Sequence, residues 1–161
     1  MSSFYSDIKK GKVGEDIFRQ DFLDFLNIKY KDVTGNQQFQ VIDTDFLTSI
    51  GLYEIKTNYK DNDILYFEEY TNVNERYGNI TLGWTYKTKA DLIVFISKKT
   101  RTMVFLPFND KFKIHYSYIR DNTEMKRNSI SRKGNQKWQS AFRPVPFYLL
   151  EGYISIYKKQ S

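Results

Sequence analysis

The chain has 161 residues, 40% apolar and 17% aromatic, enough for one folded domain with a real core and hardly enough for two. It has no cysteine and a single histidine, His115, which excludes disulfides, thiolate metal sites and any mechanism that needs two imidazoles. The net charge is +6, and no apolar run approaches the roughly 18–20 residues of a membrane span.

Periodicity sets out the elements in chain order. Ile17, Phe18, Phe22, Phe25 and Leu26 recur at spacings of three and four with Glu15, Arg19, Asp21 and Asp24 between them. That pattern predicts an amphipathic helix stopping at Asn27. Residues 28–34 read as a short strand and Gly35-Asn36 as a turn. FQVIDTDFL (39–47) alternates as a half-buried strand does, Ser49-Ile50-Gly51 turns, and LYEIKTNY (52–59) is the next strand. Asp61-Asn62-Asp63 breaks it, and ILYFEEY (64–70) is a third. Residues 71–90 are polar and give no assignment. ADLIVFIS (90–97) is a continuous apolar run of the kind that forms a central strand covered on both faces. Lys98-Lys99-Thr100 turns the chain into TMVFLP (102–107), and residues 108–121 fit a helix. Residues 122–137 read as basic loop, and PFYLLEGYISIYKK closes the chain as strand, helix or both. A helix, a strand meander and a mixed half point to α/β or α+β. There is no repeat or Pro/Gly/Ser linker at which to divide residues 1–161.

Charge is divided along the chain. Residues 1–97 carry 11 Lys/Arg against 15 Asp/Glu, whereas residues 98–161 carry 14 against 4. A basic half suggests an anionic partner, with nucleic acid first and a membrane surface disfavoured for want of an amphipathic anchor. The N-terminal MSSFYSDIKKGK lacks the apolar core of a secretion signal, so a cytoplasmic protein is expected.

The chemistry sits on the strands around residues 39–59. Alternate strand residues share a face, so Asp43 projects with Asp45, and Glu54 with Lys56. A hairpin register brings Asp45 beside Glu54, with Lys56 one step along. Two neighbouring carboxylates raise each other's proton affinity, and a divalent cation relieves the conflict. Oxygen ligands suit Mg²⁺ or Mn²⁺, and such an ion with a lysine beside it has the parts for phosphodiester hydrolysis. Glu-X-Lys alone is common on solvated strand faces. Its place nine residues after Asp45, both in apolar strands behind an amphipathic helix, is more specific.

Asp45…Glu54-Ile55-Lys56, preceded by Gly14-Glu15 on the first helix, resembles the PD-(D/E)XK nuclease superfamily. That group includes restriction enzymes, phage recombination exonucleases and Holliday-junction resolvases. The likeness covers about residues 11–107, leaving a basic C-terminal part at about 108–161. YEIKTNY, LYFEEY, Gly83-Trp84 and KADLIVF resemble small phage and mobile-element nucleases of that group. The resemblance implies an α/β fold with a restriction-endonuclease-like core, a mixed central sheet of four or five strands flanked by helices. It implies a Mg²⁺-dependent endo- or exodeoxyribonuclease, in the host cytoplasm if a phage encodes it. Asp45, Glu54 and the Ile55 carbonyl would hold the metal, Lys56 would be the catalytic lysine, and Glu15 would reach in from the helix. No proline precedes Asp45, and Asp43 competes for its role; the apolar Phe46-Leu47 after Asp45 favours Asp45. Asn58 stands where similar phage proteins often carry an acid. A homodimer is the arrangement that cuts two strands symmetrically. A nucleic-acid-binding module on the same fold, without cutting, is the alternative.

Other residues carry weaker expectations. Glu68 or Glu69 is an outer ligand or, more simply, a solvated edge. His115 is a packing or surface residue. Trp84 either stacks on a base, with Lys87 and Lys89 on phosphates, or is a buried aromatic beside solvated lysines. Lys126, Arg127, Arg132, Lys133 and Lys137, with Trp138 among them, are candidates for backbone contact, or form a solvated loop.

Overall fold

The apolar run at residues 90–97 becomes β6 (Leu92–Ile96), the strand around which the rest is assembled. The structure is a computed structural model that describes residues 4–40 and 44–160, with side chains at 11–38 and 44–160. Strand β6 pairs in parallel with β3 (Gly51–Lys56) and antiparallel with β7 (Met103–Pro107). On one side β3 leads to β2 (Phe46–Thr48) and β1 (Tyr30–Asp32), and on the other β7 leads to β12 (Ser155–Tyr157). The result is a mixed six-stranded sheet in the order β1-β2-β3-β6-β7-β12.

Alternation along its strands gives this sheet two apolar faces. Phe46, Tyr53, Ile55, Val94, Ile96 and Phe105 pack on Ile17 and Phe18 of α1 (Phe4–Phe18) and on Leu23 of the π-helical turns that follow it (Arg19–Asp24). Ile93, Phe95, Val104 and Leu106 pack on the opposite face against a second layer. That layer contains a four-stranded sheet in the order β5-β4-β11-β8: Thr81–Leu82, Ile64–Asn72, Ala141–Pro146 and Lys126–Arg127. The helix at Asp110–Asp121 completes it, burying Phe112, Tyr116 and Ile119 at helical spacing after Asn109 caps the Phe112 N–H at 2.9 Å. Each such buried side chain contributes about 1.5–3 kcal/mol. The chain is therefore mixed α/β with a mixed central sheet and a helix on each face. Among the described residues no helix is long and apolar enough to cross a membrane.

Several expectations need correction. Residues 39–40, read as the start of a strand, belong to a short helix, α2 (Gln37–Gln40), and β2 begins only at Phe46. Asp43 lies outside the described residues. Phe25 and Leu26 are each 46% exposed, because the helix loosens into π-helical turns before reaching them. The sheet has six strands rather than four or five, and residues 64–70 belong to the second sheet. The unassigned stretch holds β5 and a single helical turn, α3 (Trp84–Lys87). The expected basic loop contains β8 and a hairpin of β9 (Ser131–Lys133) and β10 (Gln136–Trp138). Strand β11, unread because Pro144 and Pro146 interrupt its letters, pairs with β4 over its full length.

Glu69 is not on a solvated edge. It is 1% exposed, and its Oε1 accepts from Arg143 Nε and Nη2 at 3.0 and 2.8 Å. Its Oε2 accepts from the Tyr86 and Tyr116 hydroxyls at 2.5 and 3.1 Å, while Arg143 Nη1 donates to the Thr123 carbonyl at 2.8 Å. Burial, with the Glu69 charge beside it, pushes the Tyr86 hydroxyl up to about 12. Breaking such a pair from one side strands a buried charge. Arg143→Met is expected to cost about 3–5 kcal/mol in urea unfolding. Arg143→Met/Glu69→Leu should recover most of that loss; equal costs for the two variants would contradict the assignment.

Candidate active site

Strand β3 sends Tyr53 and Ile55 into the core against α1, so Glu54 and Lys56 share the opposite face. Glu54 is 5% exposed, and Lys56 Nζ lies 2.6 Å from its Oε1. The same ammonium sits 5.2 Å from the centroid of the Trp84 ring. Trp84 is buried and packs on Phe67, Phe95 and Phe108, the buried-aromatic arrangement, and its ring floors the lysine.

Asp45 arrives from the run-in to β2. Its N–H donates to the Tyr53 carbonyl at 2.7 Å, and its carbonyl accepts from Val33 at 2.9 Å. Its Oδ2 accepts the Ile55 N–H at 2.8 Å, which fixes the carboxylate against the middle of Glu54-Ile55-Lys56. Glu54 and Glu15 both lie close enough to Asp45 to act on its charge. Glu15 reaches this point because α1 runs hard against the end of β3. A Cβ built on Gly14 would stand 1.7 Å from Thr57 Cγ2, so only glycine permits that approach. The structure thus brings together Glu15, Asp45, Glu54 and Lys56.

The electrostatics are those of crowded acids. Burial, then the charges of Asp32 and Glu54, push Glu15 up to about 7 against the opposing pull of Lys12 and the Asp45 hydrogen bond. Asp45 also rises to about 7, through burial and the Glu15 charge, opposed by the Ile55 N–H, Lys56 and Glu54. All available donors here are oxygens, which fits Mg²⁺ or Mn²⁺ by chemistry. Among the described residues no group of three or more His, Cys, Asp or Glu side chains is set to hold a metal ion; Lys56 occupies Glu54 instead.

A cleft of about 860 Å³ opens beside Lys56, lined by Asn58, Lys60, Glu68, Trp84, Lys98 and Lys99 among others. Its floor is fastened by Asp61, which accepts from the hydroxyls of Ser97 and of Thr100, the latter at 2.6 Å. A notch of about 230 Å³ continues past Asn58, Lys60 and Glu68 to Asn128 and Phe142. None of Lys87, Lys89, Lys126, Arg127, Arg132, Lys133 and Lys137 lines the large cleft. Lys126 and Arg127 lie beside the notch on β8, and Lys133 and Lys137 line a separate cleft of about 430 Å³. His115 stacks on Tyr153 at 4.6 Å and contacts the Leu149 carbonyl at 2.7 Å, a packing residue as expected. The cations missed from sequence are Lys60, Lys98 and Lys99. Their signal was present: Lys98-Lys99 follows a central strand, and parallel strands gather ligands at their C-terminal ends.

The geometry sets two expected outcomes. Gly14→Ala forces α1 away from β3 and should cost about 1–3 kcal/mol of stability by overpacking. Thr57→Ala in the same chain should return a large part of that loss in thermal or urea unfolding. Carboxyls raised on folding bind more protons in the native than in the unfolded state between about pH 4 and pH 7, so metal-free stability falls as pH rises through that window. Asp45→Asn should flatten the decline and leave the variant more stable than wild type at pH 8. Melting curves across that range check it, and a wild-type stability unchanged from pH 5 to pH 8 would contradict the crowding.

Compared with protein-family models, with curated proteins and with solved structures, the chain matches none.

Proposed function

We propose that this chain is a Mg²⁺-dependent deoxyribonuclease with a restriction-endonuclease-like core. One observation carries the reading: Asp45, fixed by the Ile55 N–H, acts on the charges of Glu54 and Glu15 beside it, with Lys56 on Glu54, at a lysine-lined cleft. Acids brought together against their own repulsion beside an open cleft mark a site built for a charged ligand rather than for stability.

In this reading Asp45, Glu54 and the Ile55 carbonyl hold the ion, and Glu15 braces Asp45 from α1. A bound Mg²⁺ supplies Lewis-acid neutralisation of the phosphate and lowers the proton affinity of a nearby water. Lys56, held between Glu54 and the Trp84 ring, positions that water and stabilises the negative charge that develops on the phosphoryl oxygens. Lys60, Lys98 and Lys99 take the flanking phosphates of the DNA strand. DNA rather than RNA rests on the sequence resemblance, as does Mg²⁺ over other hard cations.

Plasmid nicking tests the assignment. Wild type should cut supercoiled DNA with Mg²⁺ or Mn²⁺ and stop in EDTA. Lys56→Ala should cut at least about 100-fold more slowly, the usual loss when one group that stabilises transition-state charge is removed. Asp45→Asn should lose both cutting and the metal-induced rise in melting temperature. DNA retention without any cutting by wild type would leave a binding module instead.

A further inference from the structure

The second cleft, of about 430 Å³, lies on the far stretch of β4 and is walled by a loop on one side and the β9–β10 hairpin on the other. Its lining carries two aromatics, Tyr77 and Trp138; three amides, Asn72, Asn79 and Gln136; and two ammonium groups, Lys133 and Lys137. No Asp or Glu lines it, which disfavours a cationic ligand. Aromatic faces, amides that both donate and accept, and flanking cations are the combination that holds a base with its phosphates.

The walls are held in place. Asn72, 6% exposed, donates its amide hydrogens to the carbonyls of Asn74, Gly78 and Asn79 at 3.1, 3.5 and 3.1 Å. Its Oδ1 accepts the N–H groups of Asn74 and Gln139 at 3.2 and 3.1 Å. Asn74 Nδ2 donates in turn to Gln139 Oε1 at 3.2 Å. One buried side chain thus ties the loop carrying Tyr77 and Asn79 to the strand leaving the hairpin. A cleft whose two sides are fixed to a common point loses little freedom when it is filled. It also lies on the same strand as the active-site cleft: Glu68 lines that cleft and Thr71 and Asn72 line this one, roughly 10–13 Å further along β4.

We propose that this cleft holds an unpaired nucleobase of a single-stranded nucleic acid, stacked on Trp138, with Lys133 and Lys137 at the flanking phosphates. The site is separate from Lys56 and stands whether or not the chain cuts. If the chain does cut, the site selects strands that offer an unpaired base a few nucleotides from the point of cleavage.

Tryptophan fluorescence reads this site directly, because Trp84 is buried in the core and Trp138 is half-buried at the cleft. The full chain is titrated in EDTA with a thymidine oligonucleotide, the same sequence as duplex, thymidine monophosphate, and heparin. The single strand should quench the emission, and Trp138→Phe should lose the quenching. By anisotropy of a labelled oligonucleotide, Trp138→Leu should bind about 5- to 100-fold more weakly. Lys137→Ala should lower the slope of log affinity against log salt by about one. Gln136→Ala, at an exposed position, gives an independent weakening should Trp138→Leu fail to fold. Equal quenching by duplex or heparin, equal affinity for the mononucleotide, or wild-type binding by Trp138→Leu would each overturn the proposal. Because EDTA suppresses cutting, an inactive nuclease leaves this result standing, and active cutting with unquenched Trp138 removes this inference alone.

Discussion

The parallel ladder between β3 and β6 is the contact from which the rest of the molecule follows. It sets Glu54 opposite Ile93 and Lys56 opposite Phe95, and it brings the C-terminal ends of both strands to one edge. Two parallel strands cannot be joined by a tight turn. The chain between them, residues 57–91, must travel over the sheet, and in doing so it lays down β4, β5 and α3. The crossover therefore supplies the roof of the cleft whose floor the ladder provides. Trp84 on that crossover meets Lys56 on the ladder, and Asp61 at its start is fastened to the turn that follows β6.

Two buried glutamates show how the same side chain serves opposite ends. Glu69 receives two bonds from Arg143 and one each from Tyr86 and Tyr116, so its charge is matched where it lies and it locks β4 to β11. Glu54 shares its surroundings with Asp45 and Glu15, and Lys56, which pairs with it, stands at a cleft open to solvent. The first arrangement is at rest with its own protein atoms. The second concentrates negative charge that the fold must hold at a cost, which is the usual mark of a ligand site rather than of a structural bond. Desolvation and neighbouring carboxylate charge drive Glu15 and Asp45 toward neutrality against the pull of Lys12, the Ile55 N–H and Lys56.

The site was legible in the sequence to the extent that it depends on local alternation. Glu54-Ile55-Lys56 sits in a strand with a clean period of two, so its faces could be assigned before any coordinates. Asp45 was legible for a different reason, since a short connection between two strands leaves few registers. The start of the strand expected over 39–47 is helical: Gln37–Gln40 form a short turn, and polar Gln37, Gln38 and Gln40 carry no period that would separate the two. Trp84 was undecidable because its burial depends on packing against Phe67, Phe95 and Phe108, none of them local. Glu69 was misread on the same grounds, its partner Arg143 lying 74 residues away. Strand β11 was hidden by its prolines, which sit at Pro144 and Pro146 and still pair with Tyr66 and Ile64.

The division of charge along the chain gains its meaning from the weave. The acids of the first part make the candidate site, and an acidic site by itself repels a phosphate backbone. The basic part is not a tail beside it. The helix at Asp110–Asp121 buries Phe112 and Tyr116 in the core, β11 pairs along β4, and β12 closes the edge of the six-stranded sheet on β7. The cationic segment from Lys126 to Lys137 is thus held at both ends by buried structure, with β8 paired to β11 and the hairpin packed beside the loop that Asn72 fixes. Charges carried on a pinned ribbon keep a constant field at one side of the molecule, whereas charges on a free tail would average it away. Lys60, Lys98 and Lys99 line the cleft beside Lys56, so positive charge also stands next to the acids of the candidate site. Basic and acidic clusters can then coexist within one small domain, because the fold carries most of them on different elements.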